Sequence, residues 1–377
     1  MKKLFFIPIL FTLTFCTAIR QLGAEKVKEV NGCSTIVYDG KKALIELVID
    51  QSRTKFVIDT GAGISALIDS TVIDSFEKKK FGYLGYVMGA DRKKTKNRFF
   101  TAETKSDIFI SKNKVLTYIK IPESKCSNNK NEYTGIIGID FFFNEKNLLQ
   151  LDFSNNKICN IHEDELQEFL SKNPYRLVKS LCKSNQIFIF IDIEGKEYKF
   201  KLDTGYTGNI IMPYNDELRF KNDKKLELEG SLFQTISSHT SGSEILYEKM
   251  PVTFASNNFE SKVNVSTSIK AQNVGIDFIK AFDWLIDYNN NKVYVKRNQN
   301  TISSTFNRKI MYYAKVINEK LEIVVKEKSQ IEFKLGDQII SVNGQKVTKE
   351  NQCEMQDLLN KTEDWSSLQI EVLAQSK

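Results

Sequence analysis

Two copies of one tripeptide, Asp59-Thr60-Gly61 and Asp203-Thr204-Gly205, place an acid in matching surroundings. In the first half, apolar residues Ala43 to Ile49, a polar turn Asp50-Gln51-Ser52-Arg53 and a second run Phe56-Val57-Ile58 lead to Asp59. In the second, Ile187 to Ile193, Glu194-Gly195-Lys196-Glu197 and Phe200-Lys201-Leu202 lead to Asp203 at the same offsets. Apolar runs with a polar turn between them predict two β-hairpins of one length, each delivering a carboxylate at its end. Two carboxylates a hydrogen bond apart cannot both ionise freely, because the charge on one raises the pKa of the other. A pair sharing one proton can accept a proton from a bound water and donate one to a carbonyl in the same step. Titration then belongs to the pair, and neither Asp is the permanent acid.

The repeat resumes downstream. Gly135-Ile136-Ile137-Gly138-Ile139-Asp140-Phe141 is answered by Asn273-Val274-Gly275-Ile276-Asp277-Phe278. Each leads to a strand end, Asp152-Phe153-Ser154-Asn155-Asn156-Lys157-Ile158 or Asp287-Tyr288-Asn289-Asn290-Asn291-Lys292-Val293. A repeat of this long period implies a duplicated structural unit.

On these motifs the chain resembles the pepsin- and retropepsin-like aspartic peptidases, and more narrowly the bacterial aspartyl proteases with a PDZ domain behind the catalytic lobes. The resemblance covers residues 40 to 297 or so and implies a mainly β, two-lobed fold with one catalytic aspartate per lobe, Asp59 and Asp203. The family's apolar-apolar-Gly segment, which threads past each catalytic loop, corresponds to Ile136-Ile137-Gly138 and Asn273-Val274-Gly275. The resemblance further implies that Thr60 and Thr204 tie the loops together, while Gly61 and Gly205 suit tight turns close to a carboxylate. It implies peptide-bond hydrolysis of polypeptide substrates with no metal or organic cofactor. The chain departs from the pattern at Asn273, which breaks an apolar pair, and at Tyr206, where a small residue is usual; Ala62 in the first copy matches the retroviral form. Residues flanking Gly89-Ala90-Asp91 correspond to the family's flap, making Tyr83 and Tyr86 candidates to face substrate; a plain surface hairpin is the alternative.

Other chemistries are poorly served. Gly61-Ala62-Gly63-Ile64-Ser65-Ala66 fits the GxGxxA form of a dinucleotide-binding turn, but Gly205-Tyr206-Thr207-Gly208 keeps the acid and loses that spacing. The two histidines, His162 and His239, have neither paired zinc-ligand spacing nor a nucleophile motif beside them and are expected at the surface. The alternative to an enzyme is an inactive pepsin-like protein that holds peptides or makes envelope interactions.

Met1-Lys2-Lys3 followed by apolar Leu4 to Phe15 reads as a signal peptide, too short to span a bilayer. Cys16 stands where a lipoprotein would be acylated, with cleavage after Ala18 or Ala24 as the competitor. The expected destination is outside the cytoplasm: periplasmic, lipid-anchored or extracellular, with membrane contact only through that anchor. The organisation expected is a leader over 1–24, a first β lobe over 25–160, a linker over 161–179 with a short helix, a second lobe over 180–297, and a PDZ-like unit over 305–377. The last rests on Leu335 to Val347, where a strand reaches the Asn343-Gly344 turn; a helix over Lys349 to Lys361 and a strand over Leu368 to Leu373 follow. Such a unit could capture a peptide by strand addition, or serve as an appendage packed on the second lobe. Net charge is +7, and the basic runs Lys78-Lys79-Lys80 and Arg92-Lys93-Lys94 lack aromatic interleaving, which argues for solvated loops over nucleic-acid binding. Beyond Cys16 five cysteines remain, an odd number; a Cys159 to Cys182 bridge across the lobe connection and free thiols both fit the spacing.

Overall fold

Period-two alternation builds most of this chain. In the strand Gln186–Ile193, four isoleucines are buried while the residues between them are half-exposed, so one face meets the core. The computed structural model describes residues 25–39, 42–68, 83–89, 93–119, 126, 133–143, 146–216, 218, 220–234, 239–306 and 312–374. The leader with Cys16 and the run 78–80 lie outside them. The protein is mainly β, its strands gathered in sheets of nine, six and thirteen.

The duplicated hairpins form as the apolar pattern requires. Lys42–Ile49 pairs with Ser52–Ile58, closing at Ile49 opposite Ser52, and Gln186–Ile193 pairs with Lys196–Leu202, closing at Ile193 opposite Lys196. Both two-residue turns are left-handed, Asp50 and Gln51 at φ 40° and 74°, Glu194 and Gly195 at φ 52° and 82°. Such turns match the twist of the strands they join. A short strand then runs parallel to each second hairpin strand, Gly135–Ile137 beside Ser52–Ile58 and Asn273–Val274 beside Lys196–Leu202.

The six-stranded sheet joins the two halves. Each half contributes one hairpin, Asn147–Asp152 with Lys157–His162 and Phe282–Asp287 with Lys292–Arg297, and the two meet where Leu149 stands opposite Ile286. Their turns also repeat, since Asp152 accepts from the Asn155 N–H at 3.0 Å and Asp287 from the Asn290 N–H at 3.1 Å. Apolar residues from both halves form one continuous core, including Phe56, Phe141, Phe200, Phe278 and Trp284.

The cysteines pair otherwise than across the lobe connection. Cys33 and Cys159 face each other on adjacent strands and form a disulfide, whereas Cys182 is on a strand of another sheet and is free. A second disulfide joins Cys126 to Cys353.

The linker carries the helix Leu166–Lys172, which stops before Pro174, as the restricted residue preceding a proline favours. Residues 298–306 form neither helix nor strand, and the C-terminal unit follows with its own core of Tyr312, Phe333, Ile339, Leu359 and Trp365. Its helix spans Gln352–Lys361, its last strand Ile370–Leu373, and Asn343 and Gly344 form the hairpin turn at φ 51° and 75°. Its strand Lys320–Glu327 pairs with Lys225–Gln234 of the second half, so the two share a sheet. The strand Tyr312–Ile317 has its helix-facing edge occupied by the chain's own amides. Asn360 accepts the Ala314 N–H at 3.1 Å and donates to the Ala314 carbonyl at 2.9 Å, while Gln356 accepts the Val316 N–H at 2.8 Å.

Asp283, fully buried, holds the seam of the central sheet. It accepts from Ser154 N–H at 2.9 Å, Ser154 Oγ at 2.6 Å and Asn298 Nδ2 at 3.0 Å, and pairs with Lys296 Nζ at 2.9 Å. Burial opposes its charge, but the hydrogen bonds from Ser154, Lys296 and Asn298 prevail and hold it below the usual carboxylate range. Its stabilisation is present above the unfolded-state value of about 3.9 and is lost as pH falls through the lowered folded value. Asp283→Ala strands the donors of Ser154 and Asn298 and takes the partner from the part-exposed Lys296, and is expected to cost about 3 kcal/mol in denaturant melts at neutral pH, less in acid.

Candidate active site

Each aspartate begins where its hairpin strand ends, and the parallel neighbour holds it there. The Asp59 N–H donates to Ile137 O and the Asp203 N–H to Val274 O, both at 3.0 Å. The next turn closes when Ala62 N–H donates to Asp59 O and Tyr206 N–H to Asp203 O, both at 3.1 Å. The parallel strands recruited by the downstream glycine segments thus fix where the carboxylates start.

The threonines join the loops across 144 residues of sequence. Thr60 N–H donates to Thr204 Oγ1 at 3.0 Å and Thr204 N–H to Thr60 Oγ1 at 3.1 Å. Their hydroxyls in turn donate to opposite main chains, Thr60 to Leu202 O at 2.9 Å and Thr204 to Ile58 O at 2.7 Å. Both threonines are buried, so these groups have no water to fall back on.

The glycines face the opposite acids. A methyl on Gly61 would lie 2.3 Å from Asp203 Cγ, and one on Gly205 would lie 2.4 Å from Asp59 Cγ. Only a residue without Cβ lets the loops approach this closely. Tyr206, the large residue after the second glycine, fits because its ring lies against two more glycines: a methyl on Gly208 would be 2.3 Å from its hydroxyl and one on Gly275 2.5 Å from Cδ1.

The carboxylates hydrogen-bond to each other, and burial first, then the charge of Asp203, push Asp59 up to about 7. Asp59 Oδ1 accepts from the Gly61 and Ala62 N–H groups, both at 2.9 Å. Asp203 has different company. Its Oδ1 accepts from Tyr206 N–H at 3.2 Å, its Oδ2 accepts from Asn273 Nδ2 at 2.5 Å, and Lys201 Nζ lies 3.7 Å from the same Oδ2 while donating to Gly61 O at 3.0 Å.

Asp59, Asp203, Thr60, Thr204, Gly61 and Gly205 therefore meet in one place. Tyr83 and Tyr86 lie on Tyr83–Met88, a strand of an antiparallel hairpin with Lys94–Lys105; Tyr86 is 64% exposed, and the hairpin tip at 90–92 and the Tyr83 side chain are outside the described residues. A phosphate-binding turn is excluded at Gly61 to Ser65, because the strand Ala66–Leu67 follows where that turn needs a helix. Ser65 serves the fold: its hydroxyl accepts Gly138 N–H and donates to Asp140 Oδ1, both at 2.7 Å, and Asp140 pairs with Lys114 at 2.8 Å. His162 is part-exposed beside Asp164 at 3.2 Å, and the His239 side chain is outside the description. Among the described residues no three His, Cys, Asp or Glu side chains are grouped to hold a metal ion.

Lys201 and, in its role, Asn273 escape a reading of motifs. Their signal is a comparison of the two copies position by position, since Val57 and Ile136 occupy the corresponding places in the first half. No protein-family model matches this chain, and no curated protein matches it.

Thr60→Val and Thr204→Val are each expected to cost about 1–3 kcal/mol in denaturant melts, since each strands buried groups of the other loop. The double variant should lose clearly less than the sum, because both changes break one network. A raised carboxyl pKa also has a stability signature: between the ordinary 3.8 and about 7 the folded state holds more protons than the unfolded state, so stability declines as pH rises through that window. Melts of Asp59→Asn across the same window should show a shallower decline than wild type.

Proposed function

We propose that this protein is an aspartic endopeptidase of two-lobed, pepsin-like build, hydrolysing peptide bonds in extended polypeptides. The observation that carries the reading is the pair of hydrogen-bonded carboxylates, Asp59 and Asp203, brought face to face by two copies of one hairpin and each backed by the other copy's glycine. In this chemistry a water lies between the carboxylates and the scissile carbonyl. The charged member takes a proton from water as its oxygen adds to the carbonyl carbon, and the neutral member protonates the carbonyl oxygen, leaving a gem-diol. The member that gained a proton then passes it to the amide nitrogen. The C–N bond breaks, a diol hydroxyl returns a proton to the other carboxylate, and the acid and amine products leave the pair in its starting state. The competent pair carries one proton, so the value of about 7 for Asp59 makes activity fall as pH rises beyond neutrality.

The leader-like residues 1–24 support export, with or without lipid attachment at Cys16. The C-terminal unit is a brace in this reading, because it shares a sheet with the second half and is disulfide-bonded to Cys126 of the first. Adding a peptide strand at Tyr312–Ile317 would require displacing Gln356 and Asn360.

Digestion of a peptide library from acid to neutral pH tests the proposal. Asp59→Asn and Asp203→Asn are each expected to lower turnover by at least about 10²-fold with the fold intact. Inhibitors that place a hydroxyl between the carboxylates should bind wild type far more tightly than either variant, because the pair is complementary to the tetrahedral species. Equal binding to all three proteins, with no cleavage by wild type, would favour an inactive peptide-binding protein.

A further inference from the structure

The two halves agree closely in backbone and differ in what surrounds each carboxylate. In the first, Val57 and Ile136 are neighbours in the parallel ladder beneath Asp59; in the second, Lys201 and Asn273 are neighbours at the same places beneath Asp203. Both replacements exchange an apolar side chain for a polar one, and both act on one atom, Asp203 Oδ2: Asn273 Nδ2 donates to it at 2.5 Å, and the Lys201 ammonium forms an ion pair with it at 3.7 Å. A lysine needs a reason to be here: its side chain is 15% exposed, and its Nζ donates to the carbonyl of Gly61, the residue that backs Asp203 from the opposite loop.

The orientation of Asn273 carries information as well. With Nδ2 toward Asp203, its own Oδ1 is buried and has no hydrogen-bond partner among the described residues. Leaving a buried acceptor unmet is costly, and the hydrogen bond from Nδ2 offsets that cost only if it is charge-assisted, that is, if the carboxylate is ionised. A flipped amide would present Oδ1 and need a proton on Asp203 Oδ2, next to an ammonium that opposes protonation there.

We propose that Lys201 and Asn273 are positioning residues that hold Asp203 as the charged member of the pair, so that the shared proton is carried by Asp59. This rests on the peptidase reading for its consequence, which is a division of labour: Asp203 receives the proton from water and Asp59 protonates the carbonyl oxygen. The other ionisable groups near the pair do not compete for the role. Tyr206 follows Asp203 in the turn, and beyond it stand Glu244 on the strand His239–Phe254 and Asp277 on the helix Ile276–Ile279. Burial pushes the Tyr206 hydroxyl up and Glu244 up to about 7, and Asp277 is paired with Lys280 at 3.0 Å. Among these described neighbours Lys201 is the cation that acts on Asp59 as well as on Asp203, pulling Asp59 down against burial and the charge of Asp203.

The test is an NMR titration of the aspartate carboxyl carbons, assigned with Asp59→Asn and Asp203→Asn, in wild type, Lys201→Met and Lys201→Arg. As pH falls in wild type, Asp59 should take up its proton first and Asp203 last. Lys201→Met should move both steps upward by about one pH unit or more, and Lys201→Arg should leave them near their wild-type positions, because it keeps the charge. Both limbs of the peptide-cleavage profile should follow the same shifts. Uptake first at Asp203 overturns the proposal. So does a Lys201→Met protein whose turnover falls while both steps stay in place, the behaviour of a merely structural contact to Gly61. If Lys201→Met does not fold, the order of uptake in wild type alone decides. The expected order in a protein that cleaves no peptide would defeat the peptidase reading and leave the charge assignment standing; the reverse order in a protein that cleaves would do the opposite.

Discussion

Each of the two threonine hydroxyls accepts a main-chain N–H from the opposite loop and donates to a main-chain carbonyl of the strand before it. All of these groups are buried, and a buried amide without a partner is costly, so neither loop can satisfy itself without the other. The geometry of the carboxylates follows from that constraint. With the loops locked together, the glycine of each must pass against the acid of the other, and any side chain there would push the loops apart. The raised pKa of Asp59 is a further consequence, since burial and the closeness of Asp203 both come from the same locked arrangement.

Larger elements serve to keep the two loops in register. The central six-stranded sheet takes one hairpin from each half, and Asp283 ties its seam by bonding to the Ser154 turn of the first half and to Asn298 after the second. The Cys33 to Cys159 disulfide fastens an outer strand of that sheet to its neighbour. The C-terminal unit adds a second connection between halves, by strand pairing on one side and the Cys126 to Cys353 bridge on the other. Relative movement of the halves would break hydrogen bonds in several places at once.

Against this symmetry the differences between the copies stand out. Ala62 and Tyr206 follow the two glycines, and the ring of Tyr206 is housed by Gly208 and Gly275. Ser65 links Gly138 to Asp140 in the first half, while Asn209 at the matching place donates to Ser261 Oγ at 3.2 Å and to Ser303 O at 2.9 Å. Lys201 and Asn273 are the differences that reach the acids themselves. Duplicated backbones therefore hold two carboxylates in equivalent positions, and a few side chains beneath them make their electrostatic surroundings unequal.

Much of this was legible along the chain. Alternation and polar turns specified both hairpins, because burying one face of a strand needs only residues two apart, and the Asn343-Gly344 turn declared itself because few residues accept its dihedrals. The repeat of the acid with its flanks also singled out Asp59 and Asp203, since like sequences adopt like backbones. The disulfide partners of Cys159 and Cys126 were not legible, because pairing depends on which strands become neighbours, and Cys33 and Cys353 are 126 and 227 residues away from them in sequence. Nor was the meaning of Lys201, which in one dimension is a polar residue in a strand. Its role exists only once the parallel strand Asn273–Val274 is laid beside it and the two loops close, bringing its ammonium to Gly61 and Asp203. Local pattern determines which face of a strand is buried; electrostatic surroundings are set by charges distant in sequence and adjacent in space, and those only the tertiary structure decides.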